Sequence, residues 1–199
     1  TASNNTAVGY HAAYSNTTGD ALTALGQGAL LSNTTGDQNT ALGKDALGLN
    51  TTGRQNTAVG MQALDDSTSG NYNTALGHGS LRLNTTASSN TAVGYRAGYS
   101  NTTGTRNTHM GDGAGYSNST SNDNSAFGQN SQNATTGAGN SSFGASSLRA
   151  NTSGANNTSL GGYSMRLNTT GSSNVALGRD ALYSNTTADN NTAVGYQAA

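Results

Sequence analysis

The sequence predicts an all-β protein, a parallel β-solenoid (β-roll) with one 17-residue coil per repeat. A glycine recurs at every seventeenth position from Gly9 to Gly195, and the only exception is a 16-residue step between Gly128 and Gly144. An apolar residue stands immediately before each of these glycines. The repeats are rich in Gly, Asn and Thr, which form helices poorly, and each repeat is too short for two helices. One β-coil per repeat fits these observations.

The composition separates a repeat fold from an ordinary globule. Only 32% of the 199 residues are hydrophobic and 9% are charged, and 28 are glycine. Such a polar chain is either disordered, because little apolar surface is buried, or a repeat fold with a thin continuous core. Because the period is strict, we expect one array over residues 1–199, with about twelve coils and cut from a longer repeat protein.

The charge and the cysteine content limit which partners and cofactors are expected. The formal net charge is -1, with Lys+Arg 8 and Asp+Glu 9, so no basic patch is expected to bind nucleic acid. The chain has no Cys, and hence no disulfide or thiolate metal site. We find no apolar run that would span a membrane and no signal peptide. No cofactor is expected.

The residue before each repeated glycine is predicted to form the core ladder. Strand alternation places the Thr two positions earlier on the same, inward face. The core ladder comprises Val8, Leu25, Leu42, Val59, Leu76, Val93, Met110, Phe127, Phe143, Leu160, Leu177 and Val194.

The residue between these two positions is usually Ala, as in Ala7, Ala41 and Ala58. It is predicted to face outward. Persistent Ala on an outer face indicates the close approach of another surface, and therefore self-association. The alternative is a bias toward small residues without structural meaning.

A second short strand is predicted after each glycine. Three residues past the glycine lies a small residue such as Ala29 or Ala46, followed in most coils by a large apolar one such as Leu30 or Leu47. The Leu is expected to join the core.

Two Asn columns complete the repeat. One opens each Asn-Thr-Thr-Gly segment, whose Gly is expected at a corner with positive φ. The other precedes the first strand, and its amides are predicted to bond between coils as a structural ladder. That Asn ladder comprises Asn39, Asn56, Asn73, Asn90, Asn107, Asn124, Asn140, Asn157, Asn174 and Asn191. Asn-x-Thr sequons at Asn16 and equivalent positions leave sparse N-glycosylation as an alternative.

The variable residues are concentrated at two corner positions. Tyr10, Lys44 and Tyr95 share one, and Tyr14 and Arg82 share the other. Both are predicted to face outward. The 16-residue coil, Gln129 to Gly144, is expected to lose its residue in this tolerant region.

The motif Asn-Thr-Ala-Val-Gly-Tyr-x-Ala, with Asn-Thr-Thr-Gly between copies, resembles the head repeats of trimeric autotransporter adhesins. Similar stretches occur in phage tail fibres and long bacterial surface proteins. Matching segments include Asn56 to Gly60 and Asn191 to Gly195. The resemblance implies left-handed coils, a homotrimer and binding to host surfaces, whereas general crossover chirality favours right-handed coils. We expect left-handed coils. The adhesin repeats are shorter, and the extra residues here lie in the Asn-Thr-Thr-Gly corner.

These observations favour an extracellular structural or adhesive rod on a cell or virion surface, with no catalytic activity. Its expected partners are copies of itself, as a homotrimer or an end-to-end fibre, and a host receptor or glycan. An ice-binding solenoid that uses Thr and Asn ladders is the alternative. A polysaccharide-active enzyme is the third reading, although no clustered acids are found. His11, His78 and His109 occupy three different repeat positions and are predicted to be scattered on the surface.

Overall fold

The computed structural model describes residues 2–199 as a single parallel β-solenoid without helices. Each coil contributes one three-residue strand to a twelve-stranded sheet whose spatial order follows the chain. The strands are β1 (Thr6–Val8), β2 (Thr23–Leu25), β3 (Thr40–Leu42), β4 (Thr57–Val59), β5 (Thr74–Leu76), β6 (Thr91–Val93), β7 (Thr108–Met110), β8 (Ser125–Phe127), β9 (Ser141–Phe143), β10 (Thr158–Leu160), β11 (Val175–Leu177) and β12 (Thr192–Val194).

The strand register confirms the predicted length of the coil. Thr6 pairs with Thr23, and this offset continues along the sheet except at β8 and β9, where Ser125 pairs with Ser141. Like residues therefore form columns parallel to the axis. At a strand spacing of about 4.8 Å, the eleven steps from β1 to β12 span roughly 53 Å.

The predicted orientation of the strands is wrong. Ala24 and Ala41, at the middle position, are fully buried, whereas Val8 and Val194 of the supposed core ladder are 56% and 67% exposed. The same alternation, with the middle residue buried, is seen in β2 to β12. The interior already holds a large side chain from most coils, and beside it the strand has room only for Ala or Ser.

That large side chain comes from the position four residues after the strand glycine, as in Leu30, Leu47 and Leu64. Its inward orientation was predicted, but the second strand was not found. The segment is a turn in which Leu30 has φ 53°. The coils still bond to one another here, since the Leu30 N–H donates to the Ala46 carbonyl at 3.0 Å.

Left-handed backbone conformations recur at fixed positions of the coil. In a typical coil they lie at Gln55, Gln62 and Leu64, with φ of 57°, 57° and 52°. Non-glycine residues rarely adopt this region, and each costs on the order of 1–3 kcal/mol. Stacked backbone hydrogen bonds between coils offset that cost.

Glycine is favoured at the two glycine columns for different structural reasons. Gly60, which follows β4, has φ 128°, and a Cβ there would lie 2.7 Å from the carbonyl carbon of Gly77. The glycine of Asn-Thr-Thr-Gly was expected at positive φ, but Gly53 does not have it. A Cβ on Gly53 would instead lie 2.5 Å from the Gly70 carbonyl oxygen of the next coil. Close stacking favours glycine at this second column.

The 16-residue coil loses a residue of the Asn-Thr-Thr-Gly corner, not of the variable corners as predicted. Thr135 occupies the Asn position of this coil, because its Oγ1 accepts a hydrogen bond from Asn151 Nδ2 at 3.0 Å. Only one Thr then remains before Gly137. The preceding corners keep their register, with the Asn130 N–H bonded to the Asp112 carbonyl at 2.9 Å.

The interior consists of two apolar clusters separated by polar coils. One cluster extends from Leu22 to Ala97 and the other from Leu148 to Ala198. Between them, His109 replaces the strand Ala and Gln132 replaces the interior Leu, and both are fully buried. The prediction that all three histidines lie on the surface is therefore wrong for His109.

Candidate functional site: an apolar column and a Tyr–Arg edge

The Asn column before the first strand forms a chain of buried hydrogen bonds between coils. The Asn73 backbone N–H donates to Asn56 Oδ1 at 2.9 Å, and the Asn73 amide Nδ2 donates to the Ala87 carbonyl at 2.9 Å. The same pair of bonds links Asn56 to Asn39 Oδ1 and to the Gly70 carbonyl. Backbone-to-side-chain bonds of this kind continue from Asn39 to Asn191. Most of these amides thus satisfy buried backbone groups where no strand pairing exists, whereas the Asn124 Nδ2 has no hydrogen-bond partner within residues 2–199.

The second Asn column closes the Asn-Thr-Thr-Gly corner. Asn33 Nδ2 donates to the Gly36 carbonyl at 3.0 Å and to Asn16 Oδ1 at 3.0 Å. Asn50 repeats the contact to Asn33 at 2.7 Å. Both Asn33 and Asn50 are fully buried, so the sequons that begin with them are not open to a glycan in this fold.

The outer face of the sheet carries the apolar column, defined as the residues from Val8 to Val194 that end the twelve strands. Leu25, Leu42 and Leu160 are between 41% and 49% exposed. Phe127 and Phe143 stack with ring centroids 4.7 Å apart. Thr side chains flank the column on the same face. Together these side chains form an apolar stripe along the outer face, with Val59, Val93, Phe127 and Leu177 half-buried and the others exposed.

A second surface lies on the corner five residues after each strand glycine. We call the following column the Tyr–Arg edge: Asp65, Arg82, Tyr99, Tyr116, Asn133, Arg149, Arg166 and Tyr183. Its members contact one another along the axis. Arg82 Nη1 donates to the Tyr99 hydroxyl at 2.9 Å, and the Tyr99 and Tyr116 rings stack at 5.2 Å. Arg166 Nη1 donates to the Tyr183 hydroxyl at 3.0 Å.

Acidic residues lie at one end of the Tyr–Arg edge. Asp65 Oδ2 lies 3.7 Å from Arg82 Nε. Burial, followed by repulsion from Asp66 and Asp45, nevertheless raises the pKa of Asp65 to about 6. The Arg82 guanidinium lowers the pKa of Asp65 by less than these effects raise it. At neutral pH, Asp65 is therefore ionised, although its surroundings disfavour the charged form.

Three adjoining concavities follow the Tyr–Arg edge, and we call the row of three the groove. Their volumes are about 300, 280 and 510 Å³. Asn133 lines the first and second, and Arg166 lines the second and third, so neighbouring concavities adjoin at a shared side chain. Arg96 lines the first and lies between two Tyr rings, with its guanidinium carbon 5.1 Å from the Tyr95 centroid and 5.4 Å from that of Tyr99.

The groove has unneutralised positive charge. Arg179 pairs with Asp180 at 3.3 Å. Across residues 2–199, no ion pair is formed by Arg96, Arg149 or Arg166. The Arg96 Nε is buried without a hydrogen-bond partner. The guanidinium groups of Arg96 and Arg166 are held in place by contacts with Tyr rings, and those of all three arginines remain free to bind an anion.

His109 lies inside the rod, away from both surfaces. Complete burial lowers the pKa of its imidazole to about 4. Nε2 lies 3.5 Å from Asn118 Nδ2, and Nδ1 has no hydrogen-bond partner. Its role is therefore in the interior packing of the middle coils.

Comparison with family models, with curated proteins and with solved structures found no match. In residues 2–199, no helix is long and apolar enough to cross a membrane.

The sequence placed Arg82, Tyr99, Tyr116 and Arg166 at outward corners but did not identify them as one site. The available signal was the repeated choice of Tyr or Arg at one position of the coil. The apolar column was identified as a column and assigned to the wrong face. The groove arises from side-chain packing between coils, which the repeat pattern does not describe.

Proposed function

We propose that the chain is a segment of an extracellular structural or adhesive rod that associates with copies of itself through the apolar column. The observation that carries the proposal is the solvent accessibility of this column along the sheet, where most members are at least 38% exposed and Val59, Val93, Phe127 and Leu177 are half-buried. Burying exposed Leu, Val and Phe side chains stabilises an assembly by about 25 cal/mol per Å². A monomer leaves this free energy unused.

The spacing of the column favours another copy of this chain as the partner. Apolar side chains repeat at about 4.8 Å over roughly 53 Å. A second chain aligned in parallel has the same repeat, and every one of its coils can contact the column in register. A globular partner would match only a few coils. The resemblance to trimeric adhesin heads supports three copies per rod.

The same resemblance implies an extracellular location on a cell or virion surface. This location and the absence of catalytic activity are part of the proposal. The ice-binding alternative relied on Thr and Asn ladders. Asn39, Asn73 and Asn107 are buried and cannot contact ice, so only the Thr column would be available. We therefore do not favour it.

Light scattering coupled to size-exclusion chromatography tests the assembly. We expect three times the chain mass for the native protein, and an elongated particle in small-angle X-ray scattering. The variant Leu76→Lys places a charge in the column and should reduce the mass toward that of one chain. The control Thr103→Lys changes an exposed residue outside the strands and should leave the mass unchanged. A native protein with the mass of a single chain would contradict the proposal.

The adhesive role is tested with the native assembly on immobilised cells and extracellular matrix. We expect saturable retention that the Leu76→Lys variant loses in part, because fewer copies bind together. Absence of retention on every surface would leave a purely structural rod.

A further inference from the structure

We infer that the groove along the Tyr–Arg edge binds an extended acidic polysaccharide. The inference rests on the proposed adhesive role, since it names the ligand that such a rod would hold. It is carried by the shape of the groove, by its three unpaired arginines and by its aromatic walls.

The shape of the groove calls for a linear ligand. The lining residues run from Tyr95 in the sixth coil to Gln197 in the twelfth. Six coil spacings of about 4.8 Å correspond to roughly 29 Å along the axis. A single sugar or a small metabolite would fill one of the three concavities, whereas a chain that runs along the rod can occupy all of them.

The charge of the groove favours an anionic ligand whose charges are widely spaced. Within residues 2–199, Arg96, Arg149 and Arg166 have no acidic partner, and Asp112 and Asp180 are the acids that line the groove. Arg96 and Arg149 lie three coils apart and Arg149 and Arg166 lie one coil apart, so the three unpaired positive charges are spread over roughly 19 Å. A nucleic-acid strand carries a charge about every 3.4 Å, which is much denser. An acidic polysaccharide carries at most one carboxylate per sugar ring, and a ring is longer than this step, so its charges are more widely spaced.

The remaining lining groups suit sugar rings. Tyr95 and Tyr116 provide apolar ring surface, while Asn130, Asn133 and Asp112 provide amide donors and carbonyl or carboxylate acceptors for hydroxyl groups. Apolar walls with a few placed polar groups are typical of ligand sites. The guanidinium of Arg96 is fixed by Tyr95 and Tyr99, so it loses little freedom on binding a carboxylate.

Biolayer interferometry with the full chain tests the inference, with polygalacturonate as the probe. Dextran is the neutral polysaccharide and oligo(dT) the nucleic acid. We expect saturable binding of polygalacturonate, weaker binding of the other two, and a lower affinity when the ionic strength rises from about 0.01 to 0.15 M.

A matched pair of variants locates the site. Arg96→Gln places at this corner the residue that Gln62 provides in another coil, with a φ of 57° at Gln62 against 51° at Arg96. Arg106→Gln does the same at a distant corner, where Gln55 is the equivalent residue. We expect the first variant to weaken polygalacturonate binding about tenfold and the second by less than about twofold. Circular dichroism should be the same for both.

Equal affinity in the two variants would overturn the groove as the site. Equal or tighter binding of dextran would overturn the acidic ligand, and tighter binding of oligo(dT) would indicate a nucleic-acid groove instead. The scattering experiment is independent of these results, because it reports on the rod whether or not the groove binds a polysaccharide.

Discussion

The imidazole of His109 occupies the space beside Gly115, where a Cβ would overlap the ring. Gly98 of the preceding coil leaves room in the same way, since its Cβ would lie 3.0 Å from His109 Cδ2. Both glycines stand where other coils have Leu30, Leu47 or Leu81. One large inward residue thus compensates for two missing leucines, at the cost of a polar group in the interior.

Acid is expected to destabilise the rod through His109. Its pKa falls from 6.5 to about 4 on folding, so the unfolded chain takes up the proton first as the pH decreases. Stability is full above pH 6.5 and decreases between pH 6.5 and 4, by on the order of 3 kcal/mol in all. In the described part of the chain, residues 2–199, no charged side chain bonds to the ring to reduce this effect.

Denaturant unfolding at pH 7.5 and pH 4.5 measures this loss of stability in acid. His109→Ala, which restores the residue found at Ala92 and Ala126, should remove most of the loss. In the control His11→Gln, an exposed histidine is replaced by the residue type that Gln62 provides at the same position of another coil. This variant should retain the loss of stability in acid. Equal pH dependence in both variants would show that His109 is not responsible.

The compensation between His109 and its glycines predicts strong coupling. Gly115→Leu should destabilise the protein, because the new side chain overlaps the imidazole, although the φ of 60° resembles that of Leu30. In the His109→Ala background the same Leu should instead fill a cavity. Unfolding free energies of the two single variants and the double variant form a cycle, with an expected coupling of about 2 kcal/mol. Additive effects would contradict direct contact.

The repeat length and the columns could be predicted from sequence because a strict period places like residues one above another. The face of the strand could not, since alternation defines two faces without stating which is inward. Val8 and Leu42 are more hydrophobic than Ala7 and Ala41, so the composition pointed to the wrong side. The size of the interior decides, and Leu30 and Leu47 fill it from a left-handed turn that Leu rarely adopts. The groove at Arg96 depends on ring packing between coils and has no local sequence pattern.

Asp65 is expected to act in the opposite direction to His109. Because its pKa is raised to about 6 on folding, the folded chain holds the proton more tightly than the unfolded chain. The resulting stabilisation is present at pH below 3.8 and is lost as the pH rises through 6. At pH 7.5, Asp65→Asn should raise the free energy of unfolding by about 1 kcal/mol, since water screens a half-buried charge.

Asn is tolerated at this corner, as Asn133 shows. Asp112→Asn alters an exposed acid and serves as the control, with little change expected. If Asp65→Asn lowered stability at pH 7.5, the ion pair with Arg82 would outweigh the repulsion from Asp45 and Asp66.

The strand glycines are expected to be far less tolerant than glycines at the variable corner. Gly60→Ala would force a residue with a side chain to φ 128° and bring its Cβ to 2.7 Å from the carbonyl of Gly77. Gly162 lies in open space, and its nearest neighbour for a Cβ is the Ala145 oxygen at 4.0 Å. We expect Gly60→Ala to lower the free energy of unfolding by about 3 kcal/mol and Gly162→Ala to change it by less than about 0.5 kcal/mol. Thermal unfolding of the two variants measures the difference, and similar values would mean that the coils can move apart to admit a methyl group.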